Sequence, residues 1–216
     1  MYKRQVLRGA ASRYLEVETN ELEVGIRALR SEDGVAAEVF LADSLANGAG
    51  YCTHLGKPIE FEALLKESGE WINELANESR HSCDSACYDC LKEYRNSSYH
   101  GLLDWRLAAD LLDLLRANQL DPELRWRGIG DSALRALGDE LDMEVVDLNG
   151  VLGVVNSGSV LVAVHPFEGD PDIDLMSDRI ARIEEETTSI NLKPHLTTYF
   201  ELVRAPSQVF REFIES

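Results

Sequence analysis

The pattern of apolar and polar residues predicts strands and helices in the first half of the chain. Apolar residues alternate with polar ones over residues 14–29 and again over 35–41, which predicts two strands joined by a short turn. Residues 60–75 and 102–115 have apolar residues three and four positions apart, which predicts two amphipathic helices. A cysteine-rich segment, residues 81–90, lies between these helices. The first half is therefore predicted to mix strands and helices.

The second half follows residues 118–130, which contain Pro122 and two glycines and predict a linker. Beyond it the pattern predicts a helix, three strands, a helix, a strand and a helix, at 131–141, 143–147, 150–155, 159–165, 174–186, 196–203 and from Pro206. We therefore predict an α+β protein with two domains, 1–120 and 121–216. The αβββαβα order of the second domain is compatible with a restriction-endonuclease-like core, which we expect to be inactive and to serve as an accessory or docking domain.

Charge and length narrow the class of protein. The 216 residues carry 21 basic and 39 acidic side chains, a net charge of −18. An excess of Asp and Glu with few Lys is expected of a protein adapted to high salt, so the global charge does not decide between classes of partner. No apolar run approaches the roughly 18 residues of a membrane span, and no secretory signal follows the N-terminus. We expect a cytoplasmic protein with no membrane partner.

Four side chains between residues 81 and 90 have the spacing of a metal site: His81, Cys83, Cys87 and Cys90. Thiolates and imidazole are the ligands that zinc prefers, and four of them close a tetrahedral structural site. Cys52 and His54 are alternative fourth ligands. Reduced thiols without a metal, or a redox pair formed by Cys87 and Cys90, are the competing interpretations. The sequence favours structural zinc.

The order of these residues resembles the zinc-binding domain, of the DUF1998 or MrfA-like type, at the C-terminus of superfamily 2 DEAD/DEAH helicases. In that family a strand ends in Asp, a glycine-rich turn and an aromatic follow, and a cysteine cluster precedes a leucine-rich helix. Residues 40–51 match the turn, with Asp43 at the end of the strand. The remaining positions match in order: His81, Cys83, Cys87, Cys90, Leu91, Arg95, Asn96, His100, Asp104 and Arg106.

Two residues depart from the family pattern. His81 stands where the family usually has a cysteine, which is an acceptable exchange for zinc. Asn47 replaces a glycine of the turn, and asparagine tolerates the positive φ that such a turn can require.

The resemblance implies an accessory module of a DNA helicase in mitomycin-type DNA repair or in DISARM-type phage defence. The partner it implies is a DEAD/DEAH helicase motor, in the same longer chain or as a separate subunit, with DNA as a further partner. It implies DNA contacts for four residues: Arg95, Asn96, His100 and Arg106. Trp126, between two arginines, could stack on a base or serve as a hydrophobic anchor between the two domains.

Two other functions remain as alternatives. One is a protein-interaction module that does not touch DNA. The other is a metal-dependent nuclease in the second half, for which Asp147 and Lys193 are the candidates. The sequence has no Gly-x4-Gly-Lys-Ser/Thr loop and no Asp/Glu-x-Lys on the middle strands. We therefore expect neither ATP hydrolysis nor nuclease activity.

Overall fold

A computed structural model describes residues 2–31, 34–45, 47–77, 83–117, 120–121, 123–167 and 177–215. The chain divides into two compact units, Met1–Gln119 and Leu120–Ser216. The helices and strands of unit 1 are α1 (Tyr2–Leu15), β1 (Leu22–Ser31), β2 (Gly34–Asp43), α2 (Tyr51–Leu55), α3 (Pro58–Leu75) and α4 (Trp105–Ala117). Those of unit 2 are α5 (Arg127–Leu141), β3 (Glu144–Leu148), β4 (Val151–Asn156), β5 (Ser159–Val164), α6 (Ser177–Ser189), β6 (Lys193–Thr198), α7 (Tyr199–Arg204) and α8 (Pro206–Glu215). The fold is of the predicted α+β class.

Unit 1 packs an antiparallel hairpin and the helices around one core. β1 and β2 pair over their whole length, and α1, α3 and α4 pack on one another. Gly9 of α1 lies so close to Trp71 of α3 that an added Cβ would come within 2.4 Å of the indole ring. Leu91 and Leu103, on either side of the segment that leads from the cysteines to α4, are each 1% exposed and belong to this core.

The prediction of strand from residue 14 onward was wrong, because α1 extends to Leu15. Helix α1 buries small side chains such as Ala10 and Ala11, which are completely inaccessible. Small residues give only a weak apolar signal at helical spacing. The close contact of α1 with Trp71 nevertheless requires a small residue at Gly9. The hairpin and α3 were predicted correctly, and Pro58 occupies the first turn of α3.

Unit 2 is a four-stranded sheet in the order β3-β4-β5-β6. The first three strands are antiparallel, whereas β6 runs parallel to β5 after the crossover through α6. Residues 160–164 of β5 are all buried, as expected of a central strand. A tight turn joins β4 to β5, and its residues Ser157 and Gly158 both have positive φ, at 49° and 88°.

The strand predicted over 196–203 ends at Thr198, and α7 begins at Tyr199. The Thr198 hydroxyl accepts a 3.1 Å hydrogen bond from the Glu201 amide, and the Glu201 carboxylate accepts one from the Thr198 amide. This capping box starts the helix within a run of apolar residues that resembles a strand. Across the described ranges, no helix combines the length and apolar character needed to cross a bilayer.

Candidate metal centre

The thiols of Cys83, Cys87 and Cys90 converge in unit 1. The Sγ atoms of Cys83 and Cys90 are 3.8 Å apart, those of Cys87 and Cys90 are 3.7 Å apart, and all three lie within 4.8 Å of one another. Tetrahedral zinc with Zn–S bonds of about 2.3 Å requires ligand sulfurs about 3.8 Å apart. The cysteines therefore fit three corners of a zinc tetrahedron, and their spacing exceeds the S–S bond of a disulfide.

The backbone of residues 83–92, which we call the zinc loop, shapes this cluster. The Cys87 amide donates a 3.1 Å hydrogen bond to Cys90 Sγ, and the Lys92 amide donates a 2.9 Å bond to the Cys87 carbonyl. Ala86, which is 6% exposed, anchors the loop in the core next to the cysteines. The local turn places the second and third thiols, and the hydrophobic core fixes their position.

Zinc is needed to keep these half-buried sulfurs ionised. Burial, followed by the nearby Cys90, raises the pKa of the Cys83 thiol to about 12. Burial is also the main cause that raises the pKa of Cys90. The raised pKa values mean that, without a metal, these thiols stay protonated at neutral pH. A divalent cation reverses this, because it stabilises the thiolate form directly. The domain binds zinc as a structural ion, and Cys83, Cys87 and Cys90 are the described residues able to hold it.

The fourth predicted ligand, His81, lies outside the described residues. Two alternatives lie elsewhere in unit 1. The Cys52 amide donates a hydrogen bond to Asp43 Oδ1 at 2.9 Å. Burial, and to a lesser extent the neighbouring Asp43 carboxylate, raises the pKa of the Cys52 thiol to about 12. His54 Nε2 lies 3.1 Å from Glu60 Oε2. Within the described ranges, the cluster of ligand atoms comprises Cys83, Cys87 and Cys90 without Cys52 or His54.

The Asp43 motif starts helix α2. Asp43 Oδ2 accepts a 2.8 Å hydrogen bond from the Gly50 amide, while Oδ1 accepts the bond from Cys52. Gly48 and Gly50 have positive φ, at 39° and 81°, so glycine suits both turns of the backbone. An Asp followed by a glycine-rich turn is therefore a helix cap in this fold.

Two of the four predicted DNA contacts lie inside the segment that joins the zinc loop to α4. Asn96 is 2% exposed, and its side chain accepts from the Glu93 amide and donates to the Leu91 carbonyl, at 2.8 and 2.9 Å. His100 Nε2 lies 2.8 Å from Asn96 Oδ1 and 3.0 Å from the Glu93 carbonyl oxygen. Because both neighbours are acceptors, we assign the hydrogen to Nε2. These side chains hold the short 3-10 segment Tyr94–Leu102 against the zinc loop.

Arg106 has a similar internal role, whereas Arg95 faces solvent. The Arg106 guanidinium donates to the Asp84 carbonyl and pairs with the Asp104 carboxylate at 3.3 Å. Asp104 also accepts a 2.9 Å bond from the Arg106 amide and so caps α4. Arg106 therefore ties the zinc loop to α4. Arg95 is exposed, and its DNA contact stays a prediction.

One ion pair that supports the site was missed in the sequence. Arg8 of α1 pairs with Glu93, directly after the zinc loop. The Arg8 side chain is 11% exposed, so this pair lies largely within the fold. Local spacing gives no signal for a partner 85 positions away, because only the packing of α1 brings the two together.

The candidates in unit 2 lie apart from one another. Trp126 is completely buried and packs edge-on against His165, so it anchors the core of unit 2 and does not present a face to a base. Asp147 lies on β3 and Lys193 begins β6, which are opposite edge strands of the sheet. Three strand spacings separate them by about 14 Å. The two therefore do not form one nuclease site.

Comparison with known proteins agrees with the cysteine geometry. Residues 4–91 match the family model of the MrfA Zn-binding domain. Druantia protein DruE of Escherichia coli (strain UMEA 4076-1) is 34% identical over 116 residues, a stretch that covers 50% of this chain and 6% of that protein. No solved structure matches. Residues 4–91, which contain all three converging cysteines, are therefore similar to the MrfA Zn-binding domain, and half of the chain is similar to a small part of Druantia protein DruE.

Proposed function

We propose that this chain is a zinc-stapled accessory module of a DNA helicase, which assists the motor in holding DNA or in assembling with its partners. The observation that carries the proposal is the cysteine cluster with tetrahedral spacing inside a segment that matches the MrfA Zn-binding domain. The resemblance of the motif order to helicase C-terminal domains supplies the motor as partner. Phage defence and DNA repair are the two settings that this resemblance implies.

The size of the match supports a modular role. The stretch shared with Druantia protein DruE covers 6% of that protein, so the related segment is a small part of a much longer chain. Zinc binding contributes directly to the folding free energy of a small domain, so such a domain can stay folded as a module of a much longer protein. The thiol ligands suit a reducing compartment, and we place the module in the cytoplasm.

Binding to the helicase motor tests the proposal. The full chain, loaded with zinc, is co-expressed with the DEAD/DEAH motor encoded in the same system and analysed by size-exclusion chromatography. We expect co-elution of the wild-type chain, loss of co-elution for Cys87→Ala, and retention for Cys52→Ala as the matched cysteine control. A wild-type chain that binds zinc but never associates with the motor would contradict the proposal.

A protein-interaction module without DNA contact is the second candidate, and one feature of unit 1 favours it. A cavity of about 310 Å³ opens among apolar residues of α1, α3, α4 and β2. Phe61 and Leu115 line it and are 47% and 64% exposed. Exposed apolar surface of this kind marks protein contacts, and we assign it to an apolar segment of the helicase motor. Loss of co-elution in Leu115→Glu, with DNA binding unchanged, would support this candidate.

A further inference from the structure

Two tyrosines on and beside the zinc loop expose their rings to solvent. Tyr88 is 68% exposed and Tyr94 is 89% exposed. Other tyrosines of the chain have structural contacts: Tyr199 is 2% exposed, and the hydroxyls of Tyr14 and Tyr51 donate to Glu60 and Glu21. Most of the surface of both rings therefore stays accessible to a ligand.

One histidine contacts both the Tyr88 ring and the backbone next to Tyr94. The Tyr88 ring lies edge-on to the His100 ring, with 5.5 Å between centroids. His100 Nε2 lies 3.0 Å from the carbonyl oxygen of Glu93, the residue that immediately precedes Tyr94. The zinc cluster holds one end of this segment and Asn96 holds the other. The backbone that carries both tyrosines is therefore held by hydrogen bonds, as a stacking surface requires.

Two cations accompany the tyrosines. Lys92 follows the cysteines and Arg95 follows Tyr94, and neither forms an ion pair with any residue in the described ranges. Glu93, which lies between them, is already paired with Arg8. Asp84 and Asp89 on the zinc loop are exposed, and their two negative charges offset the two positive charges of Lys92 and Arg95. The surface is therefore close to neutral, and phosphate attraction alone does not explain it.

We infer that the zinc loop binds single-stranded nucleic acid, with bases stacked on Tyr88 and Tyr94 and phosphates contacted by Lys92 and Arg95. Aromatic stacking tolerates any base and requires bases that are not paired in a duplex. A helicase generates such strands, so the inference rests on the proposed function. It keeps Arg95 among the predicted contacts and replaces Asn96 and Arg106, whose side chains hold the fold.

The predicted salt dependence distinguishes stacking from backbone binding. Contacts to about two phosphates give a slope of log K against log salt of about −1.4 for single strands. A surface that bound mainly through phosphates, with about six contacts, would give a slope near −4. We expect the shallow slope, because only Lys92 and Arg95 are available within this surface.

The test measures binding of a fluorescein-labelled oligothymidylate, about 20 nucleotides long, and of a duplex of the same length by polarisation at low salt. We expect the single strand to bind more tightly than the duplex. Each of Tyr88→Ala and Tyr94→Ala should weaken binding about tenfold, whereas Tyr88→Phe and Tyr94→Phe should bind like wild type. Arg95→Ala should reduce the salt slope by about 0.7.

Matched controls come from unit 1 itself. Phe40→Ala removes an exposed aromatic of β2, and Arg30→Ala removes an exposed arginine of β1; both should bind the oligonucleotide like wild type. All variants should keep one zinc and the wild-type unfolding temperature.

Three results would overturn the inference: undetectable binding by the wild-type chain, equal binding by the Tyr88→Ala/Tyr94→Ala variant, or loss of motor binding in that variant with oligonucleotide binding intact. The last would identify the tyrosines as a protein surface. Failure of the motor to bind the wild-type chain would instead count against the proposed function.

Discussion

The side-chain amide of Asn96 donates a 2.9 Å hydrogen bond to the backbone carbonyl of Leu91, the residue that follows the last cysteine. The Asn96 side-chain oxygen accepts from the Glu93 amide, so one buried side chain closes the segment between the zinc loop and α4. Asn96 therefore links metal binding to the helical core.

Replacing Asn96 should destabilise unit 1. Asn96→Ala leaves the Leu91 carbonyl and the Glu93 amide without their partner, and we expect a loss of about 2–4 kcal/mol in the free energy of unfolding. Urea denaturation of the zinc-loaded chain measures it. The neighbouring exposed residue provides the control, because Arg95→Ala should change stability by less than about 0.5 kcal/mol. Equal effects of the two substitutions would show that the Asn96 bonds do not stabilise the fold.

Alanine substitutions of the zinc ligands should lower the zinc content, whereas substitution of the remaining cysteine, Cys52, should not. Cys83→Ala, Cys87→Ala and Cys90→Ala should each lower bound zinc well below one per chain, because each removes a corner of the tetrahedron. Cys52→Ala should keep one zinc, since Cys52 lies outside the cluster in the described part of the chain. His81→Ala should weaken zinc binding. Metal analysis after dialysis gives the zinc content, and zinc loss in Cys52→Ala with retention in His81→Ala would reverse the assignment of the fourth ligand.

Asp43 should make the stability of unit 1 depend on pH. Hydrogen bonds from the Cys52 amide, and to a lesser extent from Gly50, hold the pKa of Asp43 below its usual 3.8. A lowered folded pKa gives stability that is present above about pH 4 and is lost as the pH falls through the folded value. Asp43→Asn should therefore be less stable than wild type at pH 7, because the amide offers one acceptor oxygen.

The difference in stability between the wild type and Asp43→Asn should become smaller below pH 3.8. Thermal unfolding at a series of pH values measures it, and zinc loss in acid affects both proteins alike. Glu62→Gln replaces an exposed carboxylate on α3 and should not show this pattern. A gap that stays constant down to pH 2 would mean that the Asp43 charge does not contribute.

Elements whose apolar residues recur regularly along the chain were predicted well from the sequence. Element boundaries that a single capping side chain decides were not. Helix α3 has a continuous apolar face that includes Trp71 and Leu75, and it was found within two residues of its start. Helix α4 begins at Trp105, three residues later than predicted, because Asp104 caps it. The capping box at Thr198 likewise ends β6 before the apolar run ends.

The metal centre was more predictable than the surface around it. Its cysteines lie within eight residues, so their spacing alone brings the thiols together. The inward position of Asn96 and Arg106 depends on contacts with Leu91 and Asp84 that only the folded chain creates. Burial of Trp126 depends in the same way on His165, almost forty residues later in the sequence. Tertiary packing thus decided which polar and aromatic residues reach the surface.

Two glycines of α5 should respond oppositely to alanine. A Cβ at Gly130 would come within 2.3 Å of the Tyr199 ring, which is 2% exposed and has no space to move. Gly130→Ala should therefore destabilise unit 2 by about 1–3 kcal/mol through overpacking. Gly128 has nothing within 4 Å of the added atom, and Gly128→Ala should stabilise the helix by up to about 1 kcal/mol. Chemical denaturation of both variants measures the effects, and a stabilising Gly130→Ala would contradict the close packing of α5 on α7.

The full chain should neither hydrolyse ATP, with or without DNA, nor cleave plasmid in magnesium or manganese. The sequence has no phosphate-binding Gly-x4-Gly-Lys-Ser/Thr loop. A nuclease site needs acids and a lysine around one metal, and Asp147 and Lys193 lie on opposite edges of the sheet. Phosphate release and plasmid nicking are the two assays. Metal-dependent nicking that disappears in both Asp147→Ala and Lys193→Ala, while the unfolding temperature of unit 2 is unchanged, would replace the accessory role with a nuclease.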